Sequence, residues 1–235
     1  MEVYVMIKKI VLLSLLTVVL GCQPSLESSS ESNDDKPPAG EVTEDTVTDN
    51  DDACAQDTSP EEPEPEEEPS RDWVTWTDCS QIPGDHPCDF TFVDQNGDNW
   101  SLYDNYPTVM VIDFSTMWCS VCKNIAPAVQ GHVDDYVARG YDFMWVTVLV
   151  EDATGDAPEL SEIQDWANTY GMTTSPVLAG NRADVVDLSA QSGYPITAWP
   201  TLVVIDNNMV LTQGINGWNE ATVFGWVDEA LGITP

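Results

Sequence analysis

Two cysteines separated by two residues, Cys119 and Cys122 in Met117-Trp118-Cys119-Ser120-Val121-Cys122-Lys123, are the side chains of this chain best suited to chemistry. Such a pair can clamp a metal, staple a fold or exchange disulfides. Structural zinc takes four ligands, usually two such pairs or one pair with regularly spaced histidines. The only histidines are His86 and His132, and neither supplies that spacing, so no metal and no other bound cofactor is expected. A purely structural staple has no need of so tight a spacer at the mouth of a helix, nor of a tryptophan just before it. Exchange remains: a thiolate attacks a disulfide, and the second sulfur closes on the first.

That chemistry requires a particular support. Thr108–Thr116 is an almost continuous β-branched and apolar run, which predicts a central strand covered on both faces. After the pair, Ile125, Val129, Val133 and Val137 recur every four residues before Gly140, which predicts a helix with these four on its buried stripe. The pair therefore falls at the start of a helix. Free backbone N–H groups and the positive end of the helix dipole favour an anion there. Cys119 is expected as an exposed, attacking thiolate and Cys122, one turn on and more buried, as the resolving sulfur. Lys123 adds modest support.

The flanking sequence predicts the rest of the domain. Cys88–Tyr106 reads as strand, turn, strand, with Asn96-Gly97 supplying positive-φ turn residues. Asp94, Asn96 and Asp98 alternate as in a calcium loop, but Asn99 and Asn105 stand where glycine and glutamate are needed. Tyr141–Glu151 reads as a second buried strand and Ala157–Gly171 as a second helix. Ser175–Gly180 reads as a short strand or inner loop wall, and Ala183–Tyr194 holds a short helix. Trp199–Gly217 reads as an antiparallel hairpin at one sheet edge. A last helix follows, capped near Asn219, with Val223, Trp226, Val227 and Leu231 inward. Strands alternating with helices predict an α/β domain, a mixed sheet with helices on both faces and an N-terminal β-hairpin.

The ends of the chain set its compartment. Lys8-Lys9 precedes an apolar run, Ile10–Leu20, too short to span a bilayer and suited to a signal peptide. Val19-Leu20-Gly21-Cys22 resembles a bacterial lipoprotein signal, which implies a leader over residues 1–21 and lipid attachment at Cys22. Residues 22–70 carry 17 acids against Lys36 and cannot build a core, so they are expected to form a disordered acidic tether. The domain is expected over residues 71–235. Cys79 and Cys88 bracket a Pro- and Gly-bearing loop and suit a disulfide staple, which export permits. Cys54, in the tether, has no evident mate. With net charge −34 and only seven basic residues, the chain is a poor partner for nucleic acid or for an anionic lipid surface. Attachment to a membrane is therefore expected through the lipid.

Val111-Ile112-Asp113-Phe114-Ser115-Thr116-Met117-Trp118-Cys119-Ser120-Val121-Cys122-Lys123-Asn124-Ile125-Ala126-Pro127 resembles the thioredoxin signature. The resemblance implies a thioredoxin-like fold over roughly 90–235. It assigns Asp113 to proton transfer with Cys122 and Pro127 to a kink in the active-site helix. Through Ala198-Trp199-Pro200-Thr201-Leu202-Val203-Val204-Ile205-Asp206, it makes Pro200 cis and opposite the disulfide. Trp199 would offer its backbone to a substrate strand, and Trp118 and Trp199 would wall the site. The N-terminal hairpin and the long stretch between residues 150 and 190 are similar to the membrane-anchored TlpA and ResA branch. Two departures stand out. Ser120-Val121 replaces glycine and proline between the cysteines, which leaves the direction of electron flow open. Ile112 stands where peroxiredoxins keep a proline ahead of Thr116, which disfavours peroxide reduction.

The function expected is thiol–disulfide exchange on protein disulfides or dithiols of a bacterial envelope, facing the periplasm, with reduction slightly favoured and a membrane electron donor as regenerating partner. Gln23 after Cys22 mildly favours the outer membrane. The alternative is a redox-inactive thioredoxin-like binding or chaperone module that uses the groove beside Trp199 and Pro200.

Overall fold

The computed structural model describes residues 70–233. The expected leader, the expected lipid attachment at Cys22, the expected tether and Cys54 lie outside the described residues.

In chain order the elements are β1 (Thr91–Asp94), β2 (Asn99–Ser101), a 3₁₀ turn (Tyr103–Asn105), β3 (Val109–Thr116), α1 (Ser120–Ala138) and β4 (Phe143–Glu151). There follow α2 (Leu160–Tyr170), β5 (Val177–Ala179), α3 (Arg182–Val185), β6 (Thr201–Ile205), β7 (Leu211–Asn216) and α4 (Glu220–Ala230). The seven strands form one sheet in the order β2-β1-β5-β4-β3-β6-β7. β3, β4 and β5 are parallel, while β1, β6 and β7 run antiparallel to their neighbours. This is a mixed α/β sheet of thioredoxin-like topology with an N-terminal hairpin.

All eight residues of β3 are buried, as the unbroken apolar run requires. Alternation divides it: Met110, Ile112 and Phe114 enter one core cluster, and Val109 and Val111 the other. Right-handed parallel connections place α1 and α2 on a common face, where α4 joins them around Trp145, Val129 and Val223. The opposite face is covered by lighter structure: the 3₁₀ turn through Tyr103, α3 through Val185, and Tyr194 and Ile196 of the segment before β6, with Trp73 and Trp76 packed alongside. Completely buried Trp145, Phe114 and Leu202 each contribute about 1.5–3 kcal/mol of apolar burial.

The helix boundaries follow local chemistry. Glu159 and Glu162 form a reciprocal capping box at the start of α2, and Gly171 closes it in the left-handed conformation. Asn219 caps α4 by accepting from Thr222 N. Two expectations need correction. Val137 is 55 % exposed, and the buried stripe of α1 is instead Ile125, Ala126, Val129, Val133 and Tyr136. A strict four-residue step overshoots the 3.6-residue turn and carries Val137 about 120° round from Ile125. In the β1–β2 turn only Gly97 has a positive φ, 89°; Asn96 instead donates its N–H to Asp94 Oδ1.

Candidate active site

The site forms where three strand ends meet. β3 ends at Thr116, β4 ends beside it at Glu151, and β6 begins beside it at Thr201, which pairs with Phe114. Carboxyl ends of parallel strands, where the connection changes direction along the sheet, are the usual place for a site in such folds. The loop Met117–Cys119 leaves β3 here and is tied to the sheet by Met117 N donating to the Glu151 carbonyl at 2.9 Å.

Cys119 is the N-cap of α1, and its Sγ accepts a hydrogen bond from Cys122 N at 3.1 Å. One of the free N–H groups of the first turn is thus aimed at the first sulfur. Cys119 and Cys122 form a disulfide with Cα atoms 5.3 Å apart. Cys119 is 6 % exposed and Cys122 1 %. The expectation of an openly exposed first sulfur is therefore corrected: both sulfurs belong to the core cluster, and Met117 and Trp199 pack against that cluster from outside. The order of exposure is as expected, with Cys119 the more accessible.

Asp113 is 3 % exposed on the face of β3 that carries α1. Burial pushes its carboxyl up to about 6 from an ordinary 3.8. The Ser115 hydroxyl opposes this by donating to Asp113 Oδ1 at 2.7 Å. The buried Trp145 indole, whose N–H lacks a fully formed hydrogen bond, pulls in the same direction as Ser115. A carboxyl poised in this range can give or take a proton near neutral pH.

Pro127 lies within α1 and withholds the N–H that would bond the Lys123 carbonyl. The Trp199–Pro200 peptide bond is cis, and Pro200 is buried next to the end of β3. A second cis bond, Tyr106–Pro107, was not signalled by the sequence. Trp118 is 48 % exposed, and its Nε1 donates to Glu151 Oε2 at 2.8 Å. Arg182 Nε donates to the other oxygen of Glu151 at 2.6 Å, and the Arg182 guanidinium lies 5.6 Å from the Trp199 ring centre. Glu151, Arg182 and Ser115 were not anticipated. The one available signal was a carboxylate closing an otherwise apolar strand.

The remaining expected residues lie apart from this cluster. Cys79 and Cys88 form a disulfide with Cα atoms 4.9 Å apart, in the loop before β1. His86 stacks on Trp76 with ring centres 3.6 Å apart, and its Nδ1 lies 2.7 Å from the Met209 carbonyl. His132 packs on Phe224 of α4. Lys123 lines a shallow groove of about 290 Å³ with Met117, Glu162, Asp165, Trp166 and Tyr170. Among the described residues no group of three or more metal-binding side chains is present, and no helix is long and apolar enough to cross a membrane.

The comparisons with known proteins agree with this arrangement. The thioredoxin-like protein YneN of Bacillus subtilis is 22 % identical over 128 residues, 54 % of this chain and 68 % of that protein. The thioredoxin domain of a thiol-disulfide oxidoreductase from Bacteroides vulgatus superposes with TM-score 0.50 at 18 % identity, covering 65 % of this chain and 99 % of that one. A candidate thiol:disulfide interchange protein DsbE from Chlorobium tepidum gives TM-score 0.50 at 22 % identity, covering 65 % of this chain and all of that one. These likenesses show the fold. The family model described as AhpC/TSA family matches residues 83–213. With the paired sulfurs at a helix mouth, the match supports thiol–disulfide chemistry, and the chain belongs to the AhpC/TSA family.

Proposed function

We propose that the domain exchanges disulfides with envelope proteins, as a member of the TlpA- and ResA-like branch, acting mainly as a reductant. With the pair reduced, the Cys119 thiolate attacks one sulfur of a substrate disulfide. A Cys119–substrate bond forms and the other substrate sulfur leaves as a thiolate, which takes up a proton. Cys122 then attacks Cys119 Sγ, the mixed disulfide breaks, and the second substrate sulfur leaves. Two electrons have passed from the pair to the substrate, and the Cys119–Cys122 disulfide is restored. Asp113 accepts the Cys122 proton in this step. A dithiol carrier in the membrane returns the two electrons. Trp118 and Trp199 wall the groove, Trp199 lends its backbone to an extended substrate next to Pro200, and Pro127 shapes α1. The domain is residues 71–235, carried on the acidic tether from a lipidated Cys22 after removal of residues 1–21.

The observation that carries this reading is the N–H of Cys122 pointing at Cys119 Sγ across the first turn of α1. A charge-assisted hydrogen bond there favours the thiolate of the attacking sulfur over that of its partner. The test is trapping. A Cys122→Ser variant incubated with a disulfide-bonded protein should accumulate a mixed disulfide through Cys119, and Cys119→Ser should accumulate none. Equal trapping by both variants, or none by either, would reject the assignment.

The low exposure of Cys119 favours one second reading, a redox-inactive binding module using the Trp199–Pro200 groove. It predicts that dithiothreitol leaves the pair oxidised in the folded chain.

A further inference from the structure

Four basic side chains serve the described residues: Arg71, Lys123, Arg139 and Arg182. Each arginine pairs with a carboxylate, but the pairs differ in enclosure. The side chains of Asp89 and Asp104, which hold Arg71, are 24 % and 37 % exposed, and that of Asp135, which holds Arg139, is 65 % exposed. Glu151, which holds Arg182, is 11 % exposed. It is the most enclosed of these acids, and it lies at the strand end next to the cysteine loop.

A carboxylate so enclosed must have its oxygens engaged. Glu151 does so with two different partners. Oε2 accepts from Trp118 Nε1 at 2.8 Å, and Oε1 accepts from Arg182 Nε at 2.6 Å. The backbone of Glu151 is fixed too, by β4 pairing with Thr116 and by the Met117 N–H. Glu151 is therefore a rigid post. What it holds are the tryptophan preceding Cys119 and an arginine from the other face of the sheet.

Arg182 extends the chain of contacts. It opens α3, just after β5, and its guanidinium rests over the ring of Trp199, the residue before cis Pro200. Such a contact orients a ring by attraction between the cation and the ring face. Trp118 and Trp199 lie 81 positions apart in sequence and on different strand ends, yet Glu151 and Arg182 connect them side chain to side chain.

We propose that Arg182 is a positioning residue that couples the two tryptophans flanking the disulfide, setting the width of the groove a substrate strand enters. It acts on Trp118 through Glu151 and on Trp199 directly. Its effect on turnover rests on the thiol–disulfide reading above; its effect on the two rings does not. Lysine is a poor replacement. It keeps a charge for Glu151, but it lacks the planar face that covers an aromatic ring.

The experiment uses the full chain labelled with 5-fluorotryptophan. The ¹⁹F resonances of Trp118 and Trp199, among nine tryptophans, are assigned from Trp118→Phe and Trp199→Phe. In Arg182→Gln both resonances should shift or broaden. In Arg182→Lys Trp199 should move and Trp118 should stay near its original position. With a peptide disulfide as substrate, KM should rise about 3- to 10-fold in Arg182→Gln, with kcat within about 2-fold. A change confined to one tryptophan in Arg182→Gln, or none at either, overturns the coupling. Should all nine signals collapse in that variant, Arg182→Met, which keeps the apolar stem, decides: shifts of both resonances support the coupling, and a shift at Trp199 alone or at neither rejects it. Absence of exchange by the unsubstituted chain would reject the thiol–disulfide reading, and the resonances would still decide the coupling.

Discussion

The Ser115 hydroxyl donates to Asp113 Oδ1 at 2.7 Å from two residues along the same strand, on the same face. The contact is what β-alternation makes possible, since residues i and i+2 point to one side. It opposes the burial that drives the carboxyl up to about 6. Replacing Ser115 with alanine removes a donor that favours the ionised form. The Asp113 carboxyl should then titrate about one pH unit higher, given the ordinary strength of a hydrogen bond to a charged group. Carboxyl ¹³C NMR against pH reads this directly. An unmoved midpoint would show that Ser115 does not tune the acid.

Asp113 also makes stability depend on pH, in a direction that can be worked out. Its folded value, about 6, exceeds the ordinary 3.8, so the folded state holds the proton more tightly than the unfolded state between those values. Stability therefore falls as pH rises through that window, and the penalty is complete above it. The displacement corresponds to about 2–3 kcal/mol. Asp113→Asn should be more stable than the parent by up to that amount at pH 8 and about equal to it at pH 3.5. Guanidinium midpoints at the two pH values test this. A variant less stable than the parent at pH 8 would contradict the sign.

The sequence made the sheet legible through runs that physical chemistry leaves little choice about. Thr108–Thr116 could bury its residues only as a central strand, and β3 runs Val109–Thr116. Asn219 and Gly171 marked helix ends where the structure ends them. Val137 misled because a four-residue step looks regular in sequence and drifts on a helix. The site was legible where it is local: Cys119 caps α1 because the pair follows the strand directly. It was illegible where it is tertiary. Glu151 and Arg182 meet only because β5 and α3 return the chain to the end of β4, a separation of 31 residues that no local pattern encodes. Trp199 likewise joins the cluster that holds the two sulfurs from 80 residues beyond Cys119 along the chain.

The Cys79–Cys88 disulfide closes a loop that contacts two distant segments. Gly84 N donates to the Leu211 carbonyl, Leu211 N to the Asp85 carbonyl, and Gln81 N to the Ala190 carbonyl. The loop thus joins the start of β7 to the segment leading to Trp199. Replacing both cysteines with alanine frees the unfolded chain by an amount worth about 2–3 kcal/mol. Thermal unfolding should fall by about 5–10 °C for a domain of this size. Because Cys119 and Cys122 are untouched, mixed-disulfide trapping should persist below the new midpoint. Loss of trapping in a folded double variant would show that the loop contributes to the site itself.

Gly193 offers a sharper test of the same segment. A Cβ at this position would lie 2.8 Å from the Val185 carbonyl oxygen and 3.0 Å from its carbon, both backbone atoms that cannot swing aside. The closeness has a cause. Tyr194 N donates to that same Val185 oxygen at 2.7 Å, and Asp187 N donates back to the Tyr194 carbonyl at 2.9 Å, so two stretches of chain pair edge to edge. Gly193→Ala should force them apart, cost about 1–3 kcal/mol of overpacking, and loosen the lead into Trp199. Gly131 supplies the contrast. It lies inside α1 with nothing within 4 Å of its Cβ direction, so Gly131→Ala should stabilise by about 0.5–1 kcal/mol through helix propensity alone. Denaturant midpoints moving in opposite directions for the two variants would tie the difference to the Val185 carbonyl, since the added methyl group is the same in both.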